Sequence, residues 1–362
     1  MYQQYDGAGV ITSEEFDFKG NLRQGSRRLT KEYKRRMDWS AIGVPTDLSQ
    51  QEGKLTADEI TRIETAAETL LEKGKPFTTS SQFDALNRPT AIVMSDKSVT
   101  RPVYNEANLL NQMWVQVRGK GDFEKFVDNI DYDAKGQREK IVYGNGVTTT
   151  YKYEKETYRL IRLVTTRAKN PKTLQDFAYT YDPAGNITTI HDAAQPELFN
   201  RGEKIEPFNR YTYDALYRLI SAQGREHRGK DSNNKSEHLP GAKPHYDFND
   251  STRRNGIHPN DLKEMRNYSR RYEYDEVGNI EAMIHQAVGN GWRRDYKYAT
   301  DSNRLLRTTL PGSSLPGGAT ARWGEYVYDD HGNMEKMPHL EVMEWDFEDQ
   351  LQATQRQRTI NE

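Results

Sequence analysis

Along most of this chain, apolar and polar residues alternate one by one. Ile280-Glu281-Ala282-Met283-Ile284 is a clean stretch, and such alternation marks a strand buried on one face. The commonest form of the pattern is aromatic: Tyr-x-Tyr occurs at 151/153, 179/181, 211/213, 272/274, 296/298 and 326/328, using 12 of the 22 tyrosines. Residues two apart on a strand share a face, so each pair predicts two rings side by side on one surface. A helical period occurs once, at Ile60, Ile63, Ala67, Leu70 and Leu71. It predicts a helix opened by a capping box at Thr56-Ala57-Asp58-Glu59 and closed at Gly74, with Pro76 just beyond.

The residues after the aromatic pairs repeat as well. Four pairs run straight into an aspartate: Tyr181-Asp182, Tyr213-Asp214, Tyr274-Asp275 and Tyr328-Asp329. Asp182-Pro183-Ala184-Gly185-Asn186 aligns with Asp275-Glu276-Val277-Gly278-Asn279, Asp329-Asp330-His331-Gly332-Asn333 and Asp17-Phe18-Lys19-Gly20-Asn21. Degenerate copies are expected at Tyr5-Asp6, Phe83-Asp84, Tyr104-Asn105, Tyr132-Asp133 and Trp345-Asp346. An aspartate opening a turn accepts a hydrogen bond from the backbone N–H two residues on. Asp at i, Pro at i+1 and Gly at i+3 are type I preferences. Gly185, Gly278 and Gly332, and the asparagines after them, tolerate positive φ. One unit therefore reads as strand, tight turn, strand, and its architectural residues are Tyr181, Asp182, Gly185, Asn186, Tyr213, Asp214, Tyr274, Asp275, Gly278, Asn279, Tyr328, Asp329, Gly332 and Asn333.

From the second tyrosine of each pair, the steps are 28, 32, 61, 24 and 30 residues. Unequal steps argue against a rigid propeller blade and for hairpins of different length along one continuous sheet. Each hairpin alone is marginal, and stacking on its neighbours protects its edges. The fold class expected is mainly β, a spiralling antiparallel sheet of hairpins spanning residues 1–362. Residues 38–80 are expected to form a helix-containing insertion, and 225–268 a polar loop insertion with Arg225, His227, Arg228, Lys230, Lys235, His238, Lys243 and His245 as a local basic patch. Residues 311–320 read as a long hairpin loop.

These motifs resemble the YD-repeat (RHS-repeat) family. Tyr213-Asp214-Ala215-Leu216-Tyr217-Arg218-Leu219-Ile220 and Phe83-Asp84-Ala85-Leu86-Asn87-Arg88-Pro89 carry the general likeness. Tyr272 to Gln355 is similar to the B/C component of bacterial Tc insecticidal toxin complexes, through Tyr274–Ile280, Ala299–Leu305 and Trp345–Leu351. The resemblance implies a sheet strip wound in a spiral into part of a hollow shell around a carboxy-terminal cargo, usually a cytotoxic polypeptide. It implies as partners other parts of the same shell, the enclosed toxin polypeptide and a translocation component, and export as part of a toxin complex. The family's paired Asp-Pro-x-Gly plug and variable tail are not found, so the chain reads as a stretch of shell wall.

Composition agrees with a structural role. With 52 basic and 54 acidic residues, no global field attracts nucleic acid. No apolar run approaches the ~18 residues of a membrane span, and no secretory signal is visible at the amino terminus. Zero cysteines remove thiolate sites and disulfides. The eight histidines show no metal-ligand spacing, and no nucleophile elbow, phosphate loop or dinucleotide fingerprint occurs. No catalytic, cofactor or metal residue is expected. The alternative function is an extracellular adhesion or carbohydrate-binding module, since exposed tyrosines stack on sugars.

Overall fold

A computed structural model describes residues 2–35, 37–39, 57–168, 172–228, 260–309, 323–338, 340 and 342–355. Thr56 of the expected capping box, most of the basic patch (Lys230, Lys235, His238, Lys243, His245), His258, the 311–320 loop and His339 lie outside the described residues. The main element is a twenty-stranded antiparallel sheet. It starts with Tyr2–Tyr5 against Gly9–Phe16, and each strand then pairs with the next in sequence through Leu22–Leu29, Phe77–Phe83, Pro89–Val93, Val99–Tyr104, Leu110–Gln116, Glu124–Tyr132 and Arg138–Tyr143. Val147–Tyr153, Leu160–Arg167, Thr173–Tyr181 and Ile187–Asp192 continue it. After a small side hairpin, Leu198–Asn200 with Glu203–Ile205, the series resumes at Phe208–Tyr213. It runs on through Leu219–His227, Met265–Tyr274, Ile280–Ala287, Asn290–Tyr298, Leu305–Thr309 and Trp323–Glu325. Two further hairpins come after it, Val327–Tyr328 with Met334–Lys336 and Val342–Trp345 with Leu351–Gln355.

A meander must place alternate connections on opposite edges. Turns beginning at Asp17, Asp84, Asn105, Asp133, Glu154, Asp182, Asp214, Asp275 and Ala299 all fall on one edge of the sheet. The strand ends joined by the other connections, such as Leu29 and Phe77, Asp192 and Phe208, His227 and Met265, and Thr309 and Trp323, lie on the other. One edge is thus strict in length and the other free, and this accounts for the unequal steps between tyrosine pairs. It also corrects one expected repeat: Tyr5-Asp6 lies on the free edge, between Tyr2–Tyr5 and Gly9–Phe16. There the Asp6 carboxylate accepts from the backbone N–H groups of Ala8 and Gly9 and pairs with Arg27 at 2.7 Å.

The helix runs Ala57–Glu68 on that free edge, shorter than the periodicity predicts. Ile63 and Ala67 pack against Val10, with Leu71 completing the cluster and Tyr5 and Trp39 flanking it. Leu71 is no longer helical because it forms a bridge to Thr30, while Lys31 N–H reaches the Leu70 carbonyl and Glu72 N–H the Leu29 carbonyl. Strand pairing has captured the expected last turn. Ile60 faces water.

Elsewhere a single sheet layer has no second layer to press against, and its few buried side chains are as often polar as apolar. The row Ile130, Ile141, Thr149, Thr165 runs across four paired strands, with the two threonine hydroxyls 3.0 Å apart.

Twenty strands about 4.8 Å apart would span on the order of 90 Å if laid flat. Yet the last hairpin touches the first ones. Phe347, in the Asp346 turn, stacks on Phe77 with centroids 5.8 Å apart. The Arg27 guanidinium sits 5.0 Å from the same ring, and His331 lies beside Gly7. Phe347 and His331 belong to the strict turn edge, whereas Gly7, Arg27 and Phe77 lie at the free edge. The ribbon therefore winds back and sets the turn edge of its last hairpins on the opposite edge of its first, as a spiral does. Phe347→Ser should free this contact: amide exchange in residues 342–355 should accelerate by roughly tenfold while residues 99–213 keep their protection. Equal acceleration throughout the sheet would show that the ribbon is not held there.

Candidate functional site: a tyrosine ladder along the turn edge

Except at Glu154 and Ala299, each turn on the strict edge is built by its first residue, an aspartate or asparagine. In the Asp275 turn, the Asp275 N–H donates to the Asn279 carbonyl at 2.9 Å and the Gly278 N–H to the Asp275 carbonyl at 3.2 Å. The carboxylate Oδ1 accepts from the N–H groups of Val277 and Asn279 at 3.1 and 2.7 Å. Asp214 accepts likewise from Leu216 and Arg218, Asp329 from His331 and Asn333, and Asp182 from Gly185 and Asn186. The fourth position needs positive φ: Gly185 has 104°, Gly278 95°, Gly332 95°, and Tyr217 adopts 62° in the Asp214 turn. The following asparagines do not share that conformation. Instead, Asn186, Asn279 and Asn333 turn their amide Nδ2 onto Oδ2 of the opening aspartate, at 2.8 to 3.1 Å. Arg218 makes the equivalent bond to Asp214 at 2.7 Å. After every such turn the returning strand carries one extra residue, a bulge that raises local twist.

The last aromatic before each turn ties that turn to the previous one. Tyr181 Oη donates to the Leu160 carbonyl at 2.6 Å, Tyr213 to Ile187 at 2.8 Å, Tyr274 to Leu219 at 2.7 Å and Tyr328 to Leu305 at 2.7 Å. Tyr104, Tyr132, Tyr153 and Tyr298 make the same bond to Pro89, Leu110, Arg138 and Ile280. At the last hairpin Trp345 Nε1 takes the role, donating to the Met334 carbonyl at 2.7 Å. In every case the acceptor is the first residue of the returning strand one hairpin earlier. Sequence periodicity placed the rings on one face but missed this tie. The signal for it was the final Tyr of Val99–Tyr104 and Glu124–Tyr132, kept although Pro102 and Ile130 stand two residues before it.

At several turns the last residue also reaches forward. The guanidinium groups of Arg88, Arg218 and Arg304 stack over Tyr104, Tyr274 and Tyr328 at 4.8, 4.9 and 5.1 Å. Where asparagine stands instead, Asn279 Nδ2 reaches Asn303 Oδ1 at 3.2 Å and Asn333 Nδ2 reaches Asp349 Oδ1 at 2.7 Å. Arg159 donates to the carbonyls of Asp182 and Pro183. From Tyr104 onward each turn is thus bonded back to the one before it by a phenol or indole, and several are also bonded forward by a cation or amide.

These bonds set the local electrostatics. The Asn186 amide holds the Asp182 carboxyl below the ordinary range despite its partial desolvation. Backbone donation from Arg218 does the same for Asp214. Burial pushes the phenols of Tyr153, Tyr181, Tyr213, Tyr274, Tyr298 and Tyr328 up. On the tyrosine face, Arg266 donates to Glu226 Oε1 at 2.9 and 2.8 Å, and His285 Nε2 lies 3.1 Å from the same oxygen. Arg270 Nε donates to His285 Nδ1 at 3.2 Å, and Trp292 stacks on the imidazole at 5.0 Å. Burial opposes charge on Glu226, but its bonds to His285 and Arg266 outweigh that and hold its carboxyl low. This centre joins residues 59 positions apart, beyond the reach of any local motif.

The described part of the basic patch is internally paired: Arg225 donates to the Pro196 carbonyl, His227 lies 3.1 Å from the Asp261 carbonyl, and Arg228 meets Glu264 at 3.0 Å. An open cleft of 540 Å³ lies under the side hairpin, lined by Gln223, Ser269, Gln286 and Phe208 among others. Its aromatic lining is engaged already: Phe208 stacks on His191 at 4.2 Å and carries Arg210 at 4.9 Å, and Arg270 lies 4.8 Å over Tyr268. Among the described residues, no group of three or more His, Asp or Glu side chains gathers as a metal site, and no helix is long and apolar enough to cross a membrane.

No family model matches the chain. It is 31% identical over 312 residues to toxin subunit YenC2 of Yersinia entomophaga, covering 84% of this chain and 29% of the relative. It is 33% identical over 240 residues to toxin subunit YenC1 of the same organism, covering 65% of this chain and 23% of the relative. The chain therefore spans less than a third of the length of the relatives it matches. In the crystal structure of TcdB2-TccC3-Cdc42 a similar fold covers 94% of this chain and 17% of that one, with TM-score 0.60 and 26% identity. In the Photorhabdus luminescens Tc holotoxin pore the figures are 94%, 16%, 0.60 and 25%.

The turn edge makes two forecasts. A Cβ at Gly278 would meet nothing within 4 Å, so the cost of Gly278→Val is conformational alone: about 1–2 kcal/mol of unfolding free energy, with Gly278→Asn costing clearly less. Chemical denaturation giving equal stability for Val, Asn and Gly would refute the turn's left-handed requirement. The second concerns the ladder. Phenols raised above their ordinary 10.0 when folded contribute stability that is intact below that value and lost as pH rises through the folded one. Alkaline unfolding should therefore coincide with tyrosinate formation. Tyr181→Phe, Tyr213→Phe and Tyr274→Phe should each cost about 1 kcal/mol at neutral pH and weaken the alkaline step, and a wild-type-like titration in the triple variant would count against the ladder.

Proposed function

We propose that this chain, which belongs to the YD-repeat family and is similar to subunits of bacterial Tc toxin complexes, is wall of a shell that sequesters a cytotoxic polypeptide until delivery. One observation carries the reading: the turn-to-turn ladder continues without a gap from Tyr104 to Trp345, while the ribbon's last hairpin returns to its first. A sheet bonded along its whole length and curled onto itself is a wall. Its partners are the remaining parts of the same shell, the enclosed polypeptide and a translocation component, and it is exported as part of that complex.

The chemistry of the tyrosine face supports the same role. The buried threonine pair, the ladder phenols and the charge centre at Glu226 already have hydrogen-bond partners, so an unfolded chain lying against them meets few groups free to bind it. Such a face contains without adhering. A closed sheet also excludes proteases by size. The polar cleft beneath the side hairpin does not favour the carbohydrate-binding alternative, because its aromatic residues Phe208 and Tyr268 are already engaged by His191, Arg210 and Arg270.

Electron microscopy of the assembly containing this chain should show a wall around separate internal density, and the enclosed polypeptide should resist protease until the wall is opened. A solid particle, or a cargo digested equally fast with and without the wall, would overturn the proposal.

A further inference from the structure

Two strands on either side of Ile280–Ala287 each carry a double arginine, in Arg270-Arg271-Tyr272-Glu273 and Arg293-Arg294-Asp295-Tyr296. Alternation sends one arginine of each pair to either face of the sheet. On the face away from the tyrosines both have acids: Arg271 meets Glu273 at 2.9 Å, and Arg293 meets Asp295 and Glu273 at 2.7 and 3.1 Å. Arg270 and Arg294 lie on the tyrosine face, the first in register with His285 and Trp292, the second with Met283 and Tyr272. Two residues on from each stands a tyrosine, where the paired arginines have an acid. Neither meets a carboxylate among the described residues, since Glu226 is taken by Arg266 and His285.

Both guanidinium groups are nonetheless held. Arg270 lies 4.8 Å from the Tyr268 ring and 5.9 Å from the Trp292 ring, and its Nε donates to His285 Nδ1 at 3.2 Å. Its two Nη groups make no further bond among the described residues. Arg294 lies 5.9 Å from the same indole. Both side chains are partly buried, which strips water from a cation without returning an opposite charge. A planar fork already fixed in direction loses little freedom when it takes an oxyanion on two nitrogens.

We propose that Arg270 and Arg294, gathered at Trp292, form a binding site for an oxyanion supplied from outside this chain, either a carboxylate on a polypeptide or free phosphate. Arg270 holds it through its two Nη groups and Arg294 supplies the second charge. These two cations are the exception on a face whose other polar groups are already partnered. The site goes beyond the shell reading: enclosure of a cargo does not require it, and anion titration does not test enclosure.

Calorimetric titration of the whole chain with inorganic phosphate, and separately with a capped peptide of alternating glutamate and serine, tests the site and distinguishes the two sources. At least one probe should bind, more weakly as salt rises, and the tighter of the two identifies the source. Arg270→Gln combined with Arg294→Gln should weaken that binding about tenfold or more, while Arg271→Gln combined with Arg293→Gln leaves it unchanged. Arg294→Gln alone, which touches none of the bonds at Glu226, should weaken binding with an unchanged melting curve, so loss of the site is separable from loss of the fold. Binding of neither probe, equal losses in the two double variants, or full binding by Arg294→Gln would each overturn the proposal.

Discussion

The structure depends on hydrogen bonds that cross from one turn to the next. A hairpin on its own closes with little to spare, and a single sheet layer gains little from burying apolar surface. Here the last aromatic of one hairpin donates to a carbonyl of the hairpin before it. That carbonyl belongs to the first residue after the turn, beside the bulge, where the regular ladder is interrupted. The phenol supplies a bond to a backbone group at the sheet's weakest point. Phe83 lacks a hydroxyl and cannot extend the ladder to Leu22, so the first rung lies between Tyr104 and Pro89.

The division between a strict and a free edge has the same origin. A tie between neighbouring turns needs both to be nearly the same length, and turns opened by Asp close four residues on, with only the Glu154 and Ala299 turns one residue longer. The other edge carries no such tie. It can therefore accommodate a helix, a side hairpin or a long polar segment without disturbing register. This is why connections of two residues, such as 288–289, and of more than thirty, such as 228–264, occur in one sheet.

Much of this was legible in the amino-acid order, and the reasons are local. Asp, Gly and Tyr-x-Tyr each express a constraint acting within five residues, so the hairpins could be read one at a time. Tyr5-Asp6 misled because the letters match while the edge differs, and edge parity is a property of the meander rather than of a dipeptide. The asparagines after the turn glycines misled in another way: positive φ and a side-chain bond to aspartate both favour asparagine, and the structure uses the second. Glu226, Arg266 and His285 left no trace in spacing, because strand pairing between Leu219–His227, Met265–Tyr274 and Ile280–Ala287 brings them together across a long insertion.

The polar character of the buried positions reflects single-layer architecture. A lone sheet with strongly apolar faces would collapse onto itself or onto other chains. Thr149 and Thr165 satisfy one another, and the charged centre at Glu226 closes its valences internally. Stability is then spread along the edge as many small bonds rather than concentrated in a core. Such a sheet can bend continuously, because each tie is made to the neighbouring hairpin alone. Curvature adds up over the twenty paired strands, and this allows Phe347, in a separate hairpin that comes after them, to reach Phe77.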